Sequence, residues 1–486
     1  MKPHLERALG LFPATALVIG SVIGSGIFVS SSGMARGLPS GSQLIAVWIF
    51  AGVMTVLGAL TQAELCSRMP VTGGLYSYFR TVFGDRLAFF YGWANFMIAG
   101  SGAAAAIAFI FAGYLGEFIP LWHAPQEWQK WAVQIPYLGT LYPGADLGEK
   151  LVAAVLILFL TALNVRGVRL GAWVQSLSVS AKILAILILV FCAFVFGEGS
   201  WTQVVSPNPA VSVESIWSYA GLWLVAMGGA FWSYDGWGNA AYVGGEIRDA
   251  KKNLPRAILM GITIVMAIYL LVNLAYLYVL SATGVASAPG DRVASSLMNA
   301  VVGSQGAMLI AGLVVLSTFD TVNCSVLTNA RVYFAMANEG LFWKPVGVVH
   351  PKYHTPSRSL WLQGGWASIL VVTGSFDLIT SMYVFVNWLF YFLIPVALLI
   401  LRERDRRNPN LSNQKEIFQT PFYPVLPLLF AAFTLTYVVY TLIADIQGFR
   451  AGTQPCIRSL MGLLLVLGGA PVLWAVRRRA TSTSPA

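Results

Sequence analysis

Two glycine-rich stretches interrupt long apolar segments of the chain, at residues 20–28 (GSVIGSGIF) and 228–238 (GGAFWSYDGWG). A helix that faces lipid gains nothing from glycine and hydroxyl residues. A helix that unwinds in mid-membrane exposes backbone donors and acceptors, which is tolerated only where they line a cavity or bind a ligand. The two stretches therefore predict two broken membrane helices, an arrangement typical of transporters.

The first stretch can bind a carboxylate through its backbone. Unwinding at Gly24, Ser25 and Gly26 leaves amide N–H groups and the Ser25 hydroxyl at a helix N-terminus, where a negative charge is stabilised. Carbonyl groups freed at the two breaks can accept hydrogen bonds from an ammonium group: Val22, Ile23, Phe231, Trp232 and Tyr234. Both charges of an amino acid, which are costly to remove from water, would then find fixed partners. The alternative is that the glycines only allow neighbouring helices to pack closely.

Asp235 lies inside the second stretch, and an ionisable group in the middle of a membrane is costly enough to indicate a function. Its carboxylate could hold a substrate ammonium through water or select a cationic side chain. It could instead accept hydrogen bonds from the broken backbone, which is a structural role. The residue type alone does not decide the charge of the substrate.

The composition shows that the chain is surrounded by lipid. Of its 486 residues, 57% are hydrophobic and 10% are charged, and the mean hydropathy is +0.70. Segments of about 20 apolar residues are long enough to cross a hydrocarbon core of about 30 Å. The sequence therefore predicts an all-α polytopic membrane protein with 12 transmembrane helices, at residues 12–29, 43–65, 87–118, 147–164, 172–196, 216–243, 258–280, 307–337, 359–373, 382–401, 423–443 and 460–476.

The positive charge of the chain is unevenly distributed. The formal net charge is +10, and most of the 30 Lys and Arg residues fall in loops that lie inside the cell if both termini are inside. This bias follows the positive-inside rule, so it predicts cytoplasmic N- and C-termini in a multi-pass protein of the plasma (inner) membrane. No basic patch is left over for a nucleic acid partner.

The cysteines and histidines of the sequence do not form a pattern typical of a metal or redox site. The four cysteines are single and scattered, which indicates packing rather than a disulfide framework or a metal site. The four histidines fall in loops or in the N-terminal segment. We therefore expect no catalytic centre, no metal site and no cofactor.

The two breaks divide the chain into corresponding halves. They fall in spans 1 and 6, so spans 1–5 and 6–10 correspond, and an odd number of spans gives the two copies opposite topology, as in the 5+5 inverted repeat of LeuT-type transporters. The predicted units are a cytoplasmic N-terminus (1–10), two inverted repeats (11–197 and 213–402), spans 11 and 12 (422–476) and a cytoplasmic tail (477–486).

Further motifs accompany the breaks in a fixed order. They are a loop after span 2 (70–76, PVTGGLY), Lys182 in span 5, two segments after the second break (245–246, GE, and 252–258, KNLPRAI) and 329–331 (NAR) near the end of span 8. With these motifs the chain resembles the APC superfamily of amino acid transporters over nearly its whole length. Within the superfamily it is similar to the L-type amino acid transporter branch, including members that resemble bacterial serine/threonine exchangers.

The resemblance implies roles for two further side chains. It places at Trp232 a bulky aromatic gate between the bound substrate and the outside, whose indole can exclude water and lie over an ammonium group; ordinary packing is the alternative. It also implies that the Lys182 ammonium replaces the sodium ion that sodium-coupled relatives bind between spans 1 and 8. Lys182 could instead couple transport to protons, or extend to the cytoplasmic interface.

Two features depart from the family pattern. Asp320 in span 8 stands where a small residue is more usual. We expect it to interact with Lys182 or to line the substrate path, the alternative being an outward-facing position near an interface. The outer loop 119–146 lacks the cysteine that links animal members to an ancillary glycoprotein, so we expect no disulfide-linked heavy chain.

Three functions compete. The favoured one is a sodium-independent transporter, an exchanger, that moves neutral L-amino acids by alternating access as spans 1, 2, 6 and 7 rock against the remainder. The alternative is a proton-coupled transporter or antiporter of cationic amino acids or amines, in which Asp235 and Lys182 titrate during the cycle. A receptor or an enzyme would need a soluble signalling domain or a polar catalytic cluster, and the sequence shows neither.

Overall fold

The computed structural model describes most of the chain, in the ranges 9–71, 73–166, 168–213, 215–407 and 417–482. Most of the predicted N-terminal segment 1–10 and the end of the predicted tail 477–486 lie outside the described residues. The same is true of Thr72, within the loop motif that follows span 2.

Helices make up nearly all of the described first half. They are α1 (Leu11–Val22), α2 (Gly26–Arg36), α3 (Gly41–Arg68), α4 (Gly74–Phe83), α5 (Asp85–Ala94), α6 (Gly100–Leu115), α7 (Gln126–Gln129), α8 (Leu147–Arg166), α9 (Val168–Val195) and α10 (Trp201–Val204). A π-helical turn, Asn95–Ala99, joins α5 to α6. This turn changes the direction in which the side chains of α6 point relative to those of α5, compared with a regular helix. Turns of this kind are frequent at functional sites.

The described second half is also helical. Its helices are α11 (Ile216–Tyr234), α12 (Ala250–Ala286), α13 (Val293–Val302), α14 (Ser304–Asn338), α15 (Ser357–Thr373), α16 (Phe376–Tyr391), α17 (Leu393–Arg407), α18 (Val425–Arg450), α19 (Arg458–Leu467) and α20 (Gly469–Ser482). Short 3₁₀-helices are formed by Asn239–Glu246, Pro289–Asp291 and Lys344–Gly347.

A small β-hairpin is the one addition to the predicted all-α architecture within the described residues. Strands β1 (Val133–Ile135) and β2 (Gly139–Leu141) pair antiparallel in the loop between α7 and α8. The hairpin contacts the loop before α19 through a hydrogen bond, in which the Thr140 amide donates to the Pro455 carbonyl at 2.9 Å. Strands of three residues are too short to produce a period-2 pattern, so they could not be predicted.

The described helices include eight that are long and apolar enough to cross a membrane. The pair α1 and α2, bent by 42° at the break, makes a ninth candidate span. The other three predicted spans also coincide with helices, α9, α11 and α15. Many apolar side chains on these helices are exposed, among them Phe159, Leu184 and Leu316, as expected of a surface in contact with lipid. The chain is an integral, multi-pass membrane protein.

The helices pack in two groups. In one group, α12 packs against α1, α2 and α3, and α11 packs against α2 and α3. In the other, α14 packs against α6, α8 and α9, and α15 packs against α6 and α8. Between the groups, α1 has few contacts with α9 and α14, although α12 also packs against α9. The two breaks therefore lie within one helix group and face the other.

Candidate functional site

The first break separates α1 from α2. Helix α1 ends at Val22 and α2 begins at Gly26, so three residues are non-helical. Gly26 allows the second break to approach closely, since a Cβ atom there would lie 2.4 Å from Ser233 Oγ and 2.7 Å from Ser233 Cα. The unwinding expected at Gly24, Ser25 and Gly26 is found at Gly24 and Ser25, whereas Gly26 is already the first residue of α2.

The second break follows the end of α11 at Tyr234. Asp235 is extended, with φ −70° and ψ 159°, and the chain re-enters a helical turn at Asn239. Gly236 has φ +103°, and a Cβ atom on it would lie 2.6 Å from the Ser21 carbonyl oxygen. Both the backbone conformation and the contact with the first break therefore require glycine at this position.

Tyr269 of α12 connects the two breaks. Its hydroxyl lies 2.9 Å from the Val22 carbonyl oxygen and 3.1 Å from the Ser233 carbonyl oxygen. The Val22 carbonyl also accepts a hydrogen bond from the Gly24 amide at 2.7 Å. The sequence assigned this carbonyl to a substrate ammonium, whereas in the structure donors of the protein already contact it.

A cavity of about 100 Å³ lies between the breaks. Of the residues that the sequence singled out, Val22, Gly24, Ser25, Gly26, Trp232 and Asp235 line it. The side chains of Ile23, Phe231 and Tyr234 are buried away from it. Phe231 packs against Trp388 with ring centroids 3.8 Å apart, and the Tyr234 hydroxyl donates to the Trp48 carbonyl at 3.2 Å.

Ser25 is available to a ligand at the start of α2. Its side chain is buried, and its Oγ forms no hydrogen bond with any described residue. The residue caps α2 without bonding to the backbone of the first turn, so the amides of that turn have no side-chain cap. An anion at this point would meet free amide groups and the positive end of the helix dipole.

Asp235 is saturated with hydrogen bonds. Oδ1 accepts from the Gly236 amide at 2.8 Å and from the Tyr391 hydroxyl at 2.5 Å. Oδ2 accepts from the Asn387 amide at 3.1 Å and from the Tyr383 hydroxyl. Four donors thus occupy the four lone-pair directions of one carboxylate. Three of them come from α16, so Asp235 links the second break to the other side of the cavity.

The three α16 donors were missed by sequence reasoning. Tyr383, Asn387 and Tyr391 are spaced by four residues, which places them on one face of a helix. A polar side chain at every fourth position of an otherwise apolar span is a detectable signal.

Trp232 separates the cavity between the breaks from a second, larger one. The second cavity has about 540 Å³ and extends towards Arg36, Asp291 and Arg458, on the predicted outer side. Trp232 lines both cavities. Its ring packs edge-on against Tyr383, with centroids 5.0 Å apart, and its Nε1 has no partner among the described residues.

Lys182 and Asp320 are brought together beside the first break. The Lys182 ammonium lies 3.2 Å from Asp320 Oδ2, donates to the Thr321 hydroxyl at 2.7 Å and lies 3.5 Å from the Gly20 carbonyl oxygen. Both charged side chains are buried. Asp320 does not line the cavity, but its neighbour Thr321 does, and the Thr321 methyl would lie 3.5 Å from a Cβ at Gly24.

Comparison with known proteins identifies the family. The sequence profile of the family described as "Amino acid permease" matches residues 9–467. The chain is an amino acid permease. The permease is 30% identical over 482 residues to the serine/threonine exchanger SteT of Bacillus subtilis (strain 168), which covers 98% of each chain.

Two groups of mammalian proteins are also similar to the permease. The human large neutral amino acids transporter small subunit 2 is 30% identical over 475 residues, which cover 96% of the permease and 80% of that protein. The human b(0,+)-type amino acid transporter 1 is 29% identical over 404 residues, covering 82% and 76% of the two chains. The resemblance to amino acid transporters of the APC superfamily is therefore confirmed, as is the expectation of a transporter rather than an enzyme.

Proposed function

We propose that the permease is a sodium-independent exchanger of neutral L-amino acids. Among its relatives, one is named as a serine/threonine exchanger and another as a transporter of large neutral amino acids. The observation that carries the proposal is the saturated carboxylate of Asp235. A site that selects a cationic side chain needs an acceptor with free capacity, and all four lone-pair directions of Asp235 are occupied by the protein.

The two charges of the substrate bind at the two breaks. The carboxylate is held by the amides at the start of α2 and by the Ser25 hydroxyl, which is buried without a partner. The ammonium binds carbonyl groups at the end of α11, where a helix leaves its last four carbonyls without intrahelical donors. The neutral side chain then faces the remaining wall of the cavity.

Transport occurs by alternating access around this site. Trp232 is the gate on the outer side, a role supported by its position between the two cavities. The group containing α1, α2, α3, α11 and α12 moves against the remainder, which the extensive packing of these helices against one another supports. The chain has 12 spans in a 5+5 inverted repeat, with repeats at 11–197 and 213–402 and two added spans at 422–476.

Lys182 takes the place of a sodium ion. Its ammonium bridges the Gly20 carbonyl before the first break and Thr321 in α14, so a fixed positive charge already connects the two helices. A sodium ion at the same point would meet electrostatic repulsion from the lysine. Uptake should accordingly be the same in sodium and in choline buffers.

The permease lies in the plasma (inner) membrane with both termini in the cytoplasm. It acts without a disulfide-linked heavy chain. Cys456, which lies between α18 and α19, is a free cysteine whose side chain is buried. Burial raises the pKa of its thiol, which disfavours the reactive thiolate. The outer loop 119–146 contains no cysteine.

A second candidate is a proton-coupled transporter of cationic amino acids or amines. It is favoured by the buried Lys182–Asp320 pair, which contains two groups able to exchange protons. The two candidates can be separated by measuring how each of the twenty amino acids competes for uptake into proteoliposomes. The measurement is made without sodium and at equal pH on both sides. Neutral amino acids compete if the first is correct, whereas competition restricted to arginine, lysine or amines supports the second.

A further inference from the structure

Gln62 is a buried amide without a hydrogen-bond partner. It lies near the C-terminal end of α3, and its side chain is 1% exposed. Neither its Oε1 nor its Nε2 forms a hydrogen bond within the described part of the chain. The Cys66 thiol, one turn further along the same helix, is close enough to interact with the amide, but it is a weak hydrogen-bond partner and already accepts from the Tyr78 hydroxyl.

The Gln62 amide faces the cavity between the two breaks. It lines this cavity together with Ser25 and Trp232. A Cβ atom at Gly238 would lie 2.9 Å from Gln62 Nε2 and 3.1 Å from Oε1. Glycine at position 238 therefore lets the amide pack against the chain directly after the second break, at the edge of the substrate site.

Several other polar side chains of the cavity wall have partners. The Tyr91 and Tyr242 hydroxyls form a hydrogen bond of 2.8 Å with each other. The Asn95 Oδ1 accepts from the Tyr333 hydroxyl at 3.0 Å. Gln62 differs from them because it offers a donor and an acceptor at the same point, and both are unused.

A buried amide without hydrogen-bond partners raises the free energy of the protein. A ligand in the cavity that hydrogen-bonds to the amide removes this cost. Since the substrate carboxylate and ammonium have partners at the breaks, the group that meets Gln62 belongs to the substrate side chain. We propose that Gln62 is a specificity-determining residue that hydrogen-bonds the hydroxyl group of a small neutral amino acid. The inference rests on the proposed function and deepens it.

Gln62 makes the site discriminate against substrates that lack the hydroxyl. A site built to hydrogen-bond a hydroxyl disfavours the analogue without it, because the polar groups of the site are then left unpaired. One hydrogen bond of ordinary net strength corresponds to about tenfold in affinity. Serine should therefore bind about tenfold more tightly than alanine, and the difference should depend on Gln62.

The test compares L-serine and L-alanine as competitors of radiolabelled L-alanine exchange in proteoliposomes. Gln62→Leu removes both polar atoms at similar volume. Gln363→Leu is the matched control, because Gln363 is also fully buried with an unpaired Oε1 but does not line the cavity. We expect the preference for serine over alanine to fall about tenfold in Gln62→Leu and to remain in Gln363→Leu.

An unchanged preference for serine in Gln62→Leu would overturn the proposal and would indicate that only water satisfies the amide. If Gln62→Leu does not transport, thermal unfolding of the purified variant with serine or alanine gives the same comparison. Loss of the extra stabilisation by serine supports the proposal, and its persistence overturns it. A wild-type protein that exchanges no neutral amino acid contradicts the proposed function itself, and this is seen before any variant is compared.

Discussion

The Lys182 ammonium lies 3.2 Å from the Asp320 carboxylate in the interior of the protein. This contact was one of the expectations, because the fold that the family resemblance implies places span 8 opposite the Lys182 region. The pair joins α9 to α14, and through the Gly20 carbonyl it also reaches the first break. Breaking a buried pair by removing one partner is strongly destabilising.

Replacing Asp320 by asparagine tests whether this pair takes part in coupling. In Asp320→Asn the buried ammonium loses its negatively charged partner and is left with neutral acceptors, among them Thr321 and the Gly20 carbonyl. We expect a loss of about 3 kcal/mol in stability and a changed dependence of uptake on pH, measured in proteoliposomes between pH 5 and 8. Asp85→Asn, which breaks the surface ion pair between Asp85 and Arg80, is the control. A pH profile identical to that of wild type would exclude a role of Asp320 in proton coupling.

Replacing Asp235 by asparagine separates a structural role from substrate selection. In Asp235→Asn one of the two oxygens, each of which accepts two hydrogen bonds, becomes an amide donor, so two of the four donors around the side chain lose their acceptor. We expect the purified protein to lose about 2 kcal/mol of stability, while the ratio of neutral to cationic amino acid uptake stays the same. Tyr391→Phe, which removes a single donor, should show a smaller loss. Selective loss of arginine and lysine uptake in Asp235→Asn would contradict this account.

Removing the Trp232 ring should open the substrate cavity to the outer one. In Trp232→Ala we expect the apparent affinity for substrate to fall about tenfold, because the ring no longer covers the bound ammonium. Trp232→Phe should retain part of the affinity for substrate. Trp217→Ala serves as the control, since Trp217 is 82% exposed on the same helix. The measurement is the kinetics of transport with substrate added on the outside. Equal behaviour of the two alanine variants would contradict the role of Trp232 as a gate.

Cys324 lines the cavity and provides a reporter of its occupancy. A small thiol reagent that reaches the cavity should inhibit exchange, and saturating substrate should slow the reaction. Cys324→Ser should be resistant, whereas Cys192→Ser, which alters a cysteine outside the cavity, should remain sensitive. Inhibition that persists in Cys324→Ser, or that substrate does not slow, would place the reactive thiol elsewhere.

The positions of the helices and of the breaks could be predicted because their signals are local. Glycine and hydroxyl residues within an apolar segment predict an unwound helix, and α1 indeed ends at Val22 and α2 begins at Gly26. The ion pair of Lys182 with Asp320 was expected as one of several possibilities, and that expectation came from the fold that the family resemblance implies.

The side of the cavity opposite the breaks could not be predicted in the same way. Tyr383 and Tyr391 bind Asp235 across a distance of about 150 residues in the chain, as the separations of 148 and 156 show. Gln62 gives no local signal, because a single glutamine in a span is compatible with many orientations. Such contacts depend on the relative rotation of packed helices, which one sequence does not specify.

The most direct test of neutral amino acid exchange is counterflow in proteoliposomes of the purified protein, without sodium and at equal pH on both sides. Uptake of radiolabelled L-serine is measured with each amino acid, or none, enclosed within the vesicles. We expect strong stimulation by enclosed neutral amino acids and little uptake into empty vesicles. Stimulation by only arginine, lysine or amines, or no uptake until a proton gradient is imposed, would contradict the proposed function.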